Sequence, residues 1–420
     1  MTSTNLHHTG ASVAIVGAGL SGLCLAQYLR RNGIDARVYE RDAAPFARRQ
    51  GYRITVDADG LGALRASLPA DLYDLAVAVA GPTGGYFRFM NQRLREAFKL
   101  SFEETEDGER QMDRQVLRSV LLSGLEDRVH HGRKATAIET EGGANRLRFE
   151  DGTSVTARVV IAADGIGSAL RDQILPGGGP EDTGMAGIYG RTPLVRDGER
   201  VLPAELDRSG VLALGDAPGR AVFFTTMAFG RHPKTAFAGR DVPAIDIDDY
   251  VMWGVVMPQA DIPAGTAWND APALQRLARD AAADYHPVVR RLIAAADPEA
   301  TMLSRFAVGR RPGPWAVPNA AVMGDAVHAM PPFGAHGGNT ALRDAALLGA
   351  KLVAAFAAGG SNGAVGDALA AYREEMIPYA FKAVDTAEGM MRRLTGSKGV
   401  QKWVMLRLLP SLHRPVVPAA

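Results

Sequence analysis

Residues 12–40 read SVAIVGAGLSGLCLAQYLRRNGIDARVYE, and this stretch decides the fold. The apolar, β-branched run at 12–16 ends at a glycine, which predicts a buried parallel strand. Apolar residues then recur at helical spacing until Gly33, a natural helix stop, and residues 36–40 predict a second strand. The stretch therefore predicts a β-α-β unit.

A glycine-rich turn, Gly17-x-Gly19-x-x-Gly22, joins the first strand to the helix. Gly17 permits a tight turn, Gly19 lets a diphosphate approach the backbone, and Gly22 lets the helix pack closely on the strand. The helix start, at Leu20 and Ser21, offers free N–H groups to phosphate oxygens. The turn therefore predicts a dinucleotide-binding site, and the alternative is a glycine turn without a ligand.

An acidic residue stands where a dinucleotide site needs one. Glu40 lies 23 residues after Gly17, at the end of the second strand, with Arg41 beside it. A carboxylate there is expected to accept hydrogen bonds from ribose hydroxyls. The alternative is that Glu40 is a surface charge.

Composition excludes several other classes of protein. The chain has 420 residues, a formal net charge of +1 and one cysteine, Cys24, so we expect no nucleic-acid partner and no internal disulfide. It contains no apolar run of about 20 residues and no HExxH or CxxC motif, which predicts no membrane span and no metal site. His7 and His8 belong to a polar tail. We expect a cytoplasmic protein, monomeric or homodimeric.

Two further motifs follow predicted strands. Asp164-Gly165 comes after the apolar run ARVVIAA, and Gly324-Asp325 comes after another, continuing as far as Asn339. With the glycine turn, these motifs in this order resemble the flavoprotein monooxygenases related to para-hydroxybenzoate hydroxylase, in style nearest to the tetracycline-inactivating monooxygenases. The resemblance covers nearly the whole chain in layout, and it is vague in the middle.

The resemblance implies an α/β fold: a Rossmann-like FAD-binding domain, an inserted and mostly antiparallel β-sheet domain for the substrate, and C-terminal helices. Strand-like runs that alternate with turns between about 180 and 300 agree with the inserted sheet. The expected division is 1–80, 101–179 and 305–375 for FAD, 81–100 and 180–304 for substrate, and 376–420 as a bridging helical segment. A stretch of apolar and basic residues begins at Met390. It is expected to form a helix that packs across the two domains, and the alternative is that it docks on a membrane surface.

The resemblance also assigns FAD-binding roles. Asp325 is expected to bind the ribityl chain, and Asp164 and Gly165 the diphosphate. Arg114 is expected near FAD at the head of a helix, and its alternative is a surface arginine. A helix start that follows Gly334 would stabilise negative charge on the flavin pyrimidine. The other residues expected at the cofactor are Gly324, Pro332, Gly337, Gly338 and Asn339.

Two residues are candidates for catalysis. Many relatives have Gly-Gln-Gly where this chain has Ala335-His336-Gly337, so His336 is expected near the flavin, where it contacts substrate, tunes the flavin or only packs. Arg53, in Gly51-Tyr52-Arg53, is expected to pair with a carboxylate, a phosphate or a flavin oxygen. Its alternative is a solvated basic turn.

The implied activity is that of a monooxygenase. NAD(P)H, with NADPH favoured, would reduce FAD, and a flavin C4a-hydroperoxide formed with O2 would transfer one oxygen atom to an aromatic or polycyclic metabolite. The absence of a second GxGxxG fits this family. Alternatives are a halogenase, a reductase, a non-catalytic flavin sensor and an NAD-dependent dehydrogenase. Candidate substrate walls are Phe223, Phe224, Met227, Trp253, Met330, Pro332 and Phe333.

Overall fold

The computed structural model describes residues 12–47, 51–101, 108–207, 210–396 and 404–411. His7 and His8 of the polar tail lie outside the described residues, as do Arg48 and Arg49, the basic residues that precede Gly51-Tyr52-Arg53 in the sequence. Residues 397–403 and 412–420 of the predicted C-terminal segment also lie outside them.

Five short strands form a parallel sheet at the centre of one of the two main parts of the fold. They are β1 (Val13–Val16), β2 (Ala36–Tyr39), β7 (Val129–His130), β11 (Val159–Ala162) and β19 (Ala320–Val322). Their order in the sheet is β19-β11-β1-β2-β7, and each pair is parallel. Every residue of β1 and β11 is buried, as expected for parallel strands that are covered on both faces.

Helices from both ends of the chain pack on this sheet and on one another. They are α1 (Leu20–Arg31), α2 (Ala58–Ser67), α3 (Ala70–Val79), α4 (Arg114–Leu122), α10 (His336–Ala357) and α11 (Asn362–Gly396). The helices α1 and α10 approach closely, because a Cβ added at Gly349 would lie 2.6 Å from the Tyr28 ring. The C-terminal region is therefore part of the same core as the N-terminal β-α-β unit.

A seven-stranded sheet lies at the centre of the other main part of the fold. Its strands are β4 (Tyr86–Asn91), β5 (Glu96–Ser101), β12 (Glu181–Pro193), β15 (Gly210–Leu214), β16 (Ala221–Met227), β17 (Tyr250–Pro258) and β18 (Met302–Val308). The order is β18-β12-β17-β16-β15-β4-β5, and only the β15–β4 pair is parallel. One face packs against α7 (Ala271–Ala281) and α8 (Pro287–Ala294).

Smaller elements connect these layers. The strands β3 (Arg53–Val56) and β6 (Arg110–Asp113) form an antiparallel pair. A three-stranded antiparallel sheet contains β8 (Ala135–Glu141), β9 (Ala144–Phe149) and β10 (Ser154–Ala157). The remaining elements are β13 (Val195–Arg196), β14 (Glu199–Arg200), α5 (Arg171–Ile174), α6 (Pro233–Phe237), α9 (Asp325–His328) and short helical turns at Ala204–Leu206, Gln259–Asp261, Pro298–Ala300, Val404–Leu408 and Leu409–Ser411.

The α/β fold class, with an inserted and mostly antiparallel sheet, is confirmed. Some predicted boundaries are corrected: residue 305 lies within β18, and residue 376 lies within α11. The glycine-rich stretch at 359–366 is a turn only in its first part, because α10 ends at Ala357 and α11 begins at Asn362. The Ser361 hydroxyl accepts the N–H of Ala364, a capping bond that lets the helix begin there.

The C-terminal helix packs against the protein along its length. Tyr372 and Met376 are buried in the core around the parallel sheet, whereas Met391 is buried with Leu406 against the seven-stranded sheet. This packing accounts for the apolar residues from Met390 to Leu406 that the structure describes. In the described part of the chain, no helix has both the length and the apolar character needed to cross a membrane.

Candidate active site

One cavity of about 560 Å³ lies between the ends of the parallel strands and the seven-stranded sheet. A surface groove of about 600 Å³ between α2 and α3 contains none of the predicted site residues. We therefore assign the site to the first cavity. The predicted residues that line it are Gly17, Gly19, Leu20, Ser21, Glu40, Arg41, Arg53, Arg114, Asp164, Gly165, Phe223, Asp325, Met330, Pro332, His336, Gly337 and Gly338.

The three glycines of the first turn meet different surroundings. A Cβ at Gly17, where φ is +105°, would lie 2.5 Å from the Ala163 carbonyl oxygen, and one at Gly22 would lie 2.1 Å from the Gly17 carbonyl oxygen. A Cβ at Gly19 would meet no atom within 4 Å, because it would point into the cavity. Gly17 and Gly22 thus permit close backbone packing, whereas Gly19 leaves space for a ligand.

Glu40 is buried at the end of β2, where its carboxylate holds the glycine turn. Its Oε2 accepts the N–H of Ala18 at 2.7 Å, and its Oε1 accepts the N–H of Asp42 at 2.9 Å. A carboxylate has about four acceptor positions, so it can also accept hydrogen bonds from a ribose. The predicted alternative, a surface charge, is wrong because Glu40 is only 4% exposed.

Asp164 carries an unsatisfied polar atom beside the cavity. Its Oδ2 accepts the N–H of Ala169 at 3.1 Å, whereas the buried Oδ1 has no hydrogen-bond partner. Burial raises the pKa of this carboxyl, against the hydrogen bonds from Ser168 and Ala169 that lower it. A buried acceptor without a partner is costly, which points to a donor supplied by a ligand.

Asp325 begins α9 and lies exposed to the cavity, directly after Gly324. Behind the Gly324-Asp325 turn lies a buried polar cluster on Asp344 of α10. Its Oδ2 accepts the N–H of Gly324 at 2.9 Å and lies 2.6 Å from Nε2 of His328. Its Oδ1 accepts the Tyr379 hydroxyl of α11 at 2.6 Å, so one carboxylate ties the turn to both long helices.

The N-terminus of α10 faces the cavity. Ala335 precedes the helix with φ of +58°, and His336, Gly337 and Gly338 line the cavity at the helix start. Asn339 differs from the prediction, because it does not line the cavity. Its Nδ2 donates to the carbonyl oxygens of Thr55 and Ala335, and its Oδ1 accepts the N–H of Asp57, so its side chain joins α10 to β3 and α2.

Arg53 begins β3 and brings a guanidinium to the cavity. One Nη donates to Thr55 Oγ1 at 3.1 Å, and the buried Nε has no partner. No carboxylate among the described residues forms an ion pair with it. Burial lowers the pKa of Arg53 to about 10, so the group remains cationic at neutral pH. Arg114 is the first residue of α4 and lines the cavity, in agreement with its expected position near FAD at the head of a helix.

The wall on the substrate side differs from the prediction. Phe223 and Met330 line the cavity, but Trp253 and Phe224 are buried between the sheet and the α7–α8 layer, and Met252 faces the cavity instead. Neighbouring residues of a strand point to opposite faces, so a sequence window cannot tell which one faces the ligand. The other two predicted wall residues outside the cavity are Met227 and Phe333, which pack in apolar cores.

Several residues at the site escaped the sequence analysis. Arg118 of α4 is buried and donates to the Ala18 carbonyl oxygen at 2.7 Å, and Arg171 donates to the Ile166 carbonyl oxygen at 2.7 Å. These buried arginines hydrogen-bond to carbonyl oxygens of loops, and no motif in the sequence reveals such contacts. The other missed lining residues include Ile54, Thr55, Arg133, Lys134, Ala135, Ile166, Met252, Trp268 and Met302. The described residues contain no group of acidic, histidine or cysteine side chains arranged to hold a metal ion.

These residues fit FAD. The open space at Gly19 and the helix N-terminus behind it suit a diphosphate. The carboxylate of Glu40 suits a ribose, and the unpartnered Oδ1 of Asp164 can accept a hydrogen bond from the ligand. The start of α10 and Arg53 provide positive potential in the cavity, which would stabilise negative charge on a flavin ring. The fold and site therefore define a dinucleotide-binding flavoprotein.

Comparisons with known proteins agree with this class. Residues 270–387 match the family model described as an FAD binding domain, and residues 15–74 match that of an NAD(P)-binding Rossmann-like domain. The chain is 30% identical over 424 residues to a dual O-methyltransferase/FAD-dependent monooxygenase of Cercospora beticola, covering 92% of this chain and 47% of the relative. It spans about half the length of such relatives.

Shorter relatives and solved structures match over more of their length. An FAD-dependent urate hydroxylase of Mycolicibacterium vanbaalenii is 29% identical over 80% of this chain and 78% of its own. A structure described as an FAD-containing monooxygenase of Photorhabdus luminescens has a TM-score of 0.75 and 27% identity, covering 93% of this chain and all of that one. Over most of its length the chain is therefore similar to FAD-dependent monooxygenases. A tetracycline destructase shares the fold, with a TM-score of 0.66, 16% identity and coverage of 95% of this chain and 96% of its own.

Proposed function

We propose that this protein is an FAD-dependent monooxygenase that uses NAD(P)H and O2 to insert one oxygen atom into an aromatic or polycyclic small molecule. The observation that carries the proposal is one cavity lined both by the glycine turn and Asp164 and by the apolar side chains of Phe223 and Met252. A dinucleotide cradle that opens onto an apolar wall suits a cofactor and an apolar substrate side by side.

Bound FAD supplies electron transfer from NAD(P)H and the activation of O2. The chain holds the cofactor through the N–H groups after Gly19, the carboxylates of Glu40 and Asp325, and the free Oδ1 of Asp164. The N–H groups of Gly337 and Gly338 at the start of α10 stabilise negative charge in the cavity. Arg53 adds a full positive charge nearby.

The apolar wall of the cavity excludes water and orients the ring system of the substrate. Phe223, Met252 and Met302 present apolar surface there, which favours a flat aromatic molecule. The guanidinium of Arg53 has hydrogen-bonding capacity to spare, and it binds an acidic oxygen of the substrate or of the cofactor. His336, at the same helix start, contacts the substrate or tunes the cofactor.

The names of relatives support an aromatic substrate. They include the urate hydroxylase and a 6-hydroxynicotinate 3-monooxygenase of Pseudomonas fluorescens, 28% identical over 80% of this chain. Fungal relatives named as FAD-dependent monooxygenases accord with a role in secondary metabolism. We further propose NADPH as the preferred reductant, a cytoplasmic location and a monomer or homodimer.

The test begins with the visible spectrum of the purified protein and chromatography of the released chromophore. A yellow protein that releases FAD is then assayed for NADPH and O2 consumption with phenols of one to four rings, and ¹⁸O₂ traces the inserted atom. Label in a hydroxylated product supports the proposal. NADPH oxidation that yields only hydrogen peroxide with every phenol contradicts it, and so does a colourless protein that binds no added FAD.

A further inference from the structure

Two large apolar side chains are exposed at one edge of the cavity. Ile166, in the loop after β11, is 44% exposed, and Trp268, just before α7, is 45% exposed. Both line the main cavity, and both also line a second, shallower cavity that is open to the surface and has a volume of about 370 Å³. The two cavities therefore meet at this pair of side chains, which we call the apolar gate.

The gate is built into the fold. The carbonyl oxygen of Trp268 accepts the N–H of Leu303 at 2.9 Å, which anchors the residue to the edge strand β18. Ile166 lies in the loop held by the Arg171 guanidinium, which donates to the Ile166 carbonyl oxygen at 2.7 Å. Backbone anchors on both sides hold the two apolar side chains at the junction of the cavities.

The second cavity runs along β18 and has a mixed lining. Phe306 and Pro180 contribute apolar surface, and Asp182 and Arg305 contribute charge. The Oδ1 of Asp182 already accepts hydrogen bonds from Gly184 and Gln259. Arg305 is exposed, and its guanidinium forms no ion pair or hydrogen bond with any described residue, so it offers a free cation at the far side of the gate.

We propose that the second cavity is a distal substrate subsite: the fused rings of the substrate pass between Ile166 and Trp268, and a distal acidic oxygen binds Arg305. The inference rests on the proposed function and refines it, since it assigns an elongated polycyclic substrate of at least three fused rings. Covering an exposed indole with a flat ring removes apolar surface from water and adds a stacking contact. A one- or two-ring substrate would stay within the main cavity and leave the gate exposed.

The test measures binding to the FAD-loaded protein by calorimetry, so it does not depend on turnover. The probes are 2-naphthol, 1-hydroxyanthraquinone and anthraquinone-2-carboxylate. We expect Trp268→Ala to weaken both three-ring probes by roughly fivefold to tenfold and 2-naphthol by less than about twofold, the range that a lost stacking contact gives. Trp268→Phe keeps a ring and should retain most of the affinity.

Two further variants separate the contributions. Arg305→Ala should weaken anthraquinone-2-carboxylate and leave 1-hydroxyanthraquinone unchanged. Val195→Ala removes another exposed apolar side chain, 51% exposed on the β13–β14 hairpin, and should change none of the affinities. If Trp268→Ala lowers the FAD content, Ile166→Ala provides the same comparison from the other side of the gate.

Equal weakening of two- and three-ring probes, or none, overturns the subsite. Loss of NADPH affinity in Trp268→Ala, with unchanged anthraquinone binding, also overturns it and assigns the second cavity to the dinucleotide. The proposed function fails separately: three-ring probes that bind through the gate, yet never undergo ¹⁸O incorporation, support the subsite and argue against the monooxygenase.

Discussion

Nε2 of His328 lies 2.6 Å from Oδ2 of Asp344, and neither side chain has any exposed surface. The same carboxylate holds the Gly324 N–H and the Tyr379 hydroxyl, so the turn that presents Asp325 depends on it. Burial opposes protonation of His328, but the adjacent Asp344 carboxylate prevails and raises the pKa of the imidazole. The pair therefore links the FAD-binding turn to the C-terminal helices.

Asp344→Asn should leave a buried imidazole without its counter-charge. We expect the free energy of unfolding to fall by about 3 to 5 kcal/mol, the usual effect of removing one partner of a buried pair. FAD affinity should fall as well, because the Gly324-Asp325 turn loses its anchor. Urea unfolding and FAD titration of the apoprotein measure the two effects, with Asp367→Ala, at an exposed position of α11, as the control. Unchanged FAD affinity would contradict the assigned role of the cluster.

The His328–Asp344 pair also predicts a pH dependence. Because the folded pKa of His328 is raised, its stabilising contribution is complete below the unfolded value of about 6.5 and is lost as pH rises through the folded value. The wild-type free energy of unfolding should therefore decline above about pH 6.5 relative to His328→Gln. Parallel pH curves for the two proteins would rule out a charged pair.

The glycine turn predicts opposite outcomes for two alanine variants. Gly19→Ala meets no protein atom, so the protein should keep its wild-type thermal stability and lose FAD affinity by tenfold or more, on the order of the 1 to 3 kcal/mol of an overpacked contact. Gly17→Ala meets the Ala163 carbonyl oxygen at 2.5 Å with φ of +105°, so it should lower the melting temperature even without FAD. A Gly19→Ala protein with wild-type FAD affinity would refute the assigned diphosphate position.

Arg53 predicts a dependence on charge in the cavity. Arg53→Ala should lower kcat/KM by roughly a hundredfold, in line with the loss of a charge-assisted hydrogen bond of about 1.5 to 3 kcal/mol. Arg53→Lys keeps the charge and should recover part of the activity. In the wild type, the contribution should decline as pH approaches about 10, the lowered pKa of this guanidinium. Equal activity of the alanine and lysine variants would show that the charge is not used.

Met252 and Trp253 are neighbours on β17 and should respond differently. Met252→Ala, at the cavity, should change the KM for the substrate and leave stability within about 1 kcal/mol, whereas Trp253→Ala should cost about 3 to 5 kcal/mol because the indole is fully buried. Unfolding curves and steady-state kinetics of both variants make the comparison. A Trp253→Ala protein of normal stability and altered KM would reverse the assignment.

Cys24 should be inert in the folded protein. Burial raises the pKa of its thiol to about 12, against a hydrogen bond with Ser67 that lowers it. We expect no reaction with a disulfide reagent at pH 8 until denaturant is added, when one thiol per chain should react. Fast labelling of the native protein would show that α1 opens locally.

The sequence predicted the local features that recur wherever a diphosphate meets a β-α-β unit. Gly17, Gly19, Gly22 and Glu40 were found because tight turns and ribose contacts require those residue types at fixed spacing. The α/β class and the inserted sheet followed from hydrophobic period and order along the chain. The sequence did not show where α11 begins. The capping residue, Ser361, lies among glycines that are typical of a turn.

Tertiary structure alone decided which side chains share the cavity. Trp253 and Met252 differ by one position, and only the packing of α7 and α8 on one face of the sheet determines which of them meets the ligand. Asn339 lies in a motif typical of flavin sites, yet its amide is used by β3 and α2. The Asp344 cluster and the apolar gate join residues from distant parts of the chain. Such contacts depend on how layers pack, a long-range outcome that local pattern and spacing do not encode.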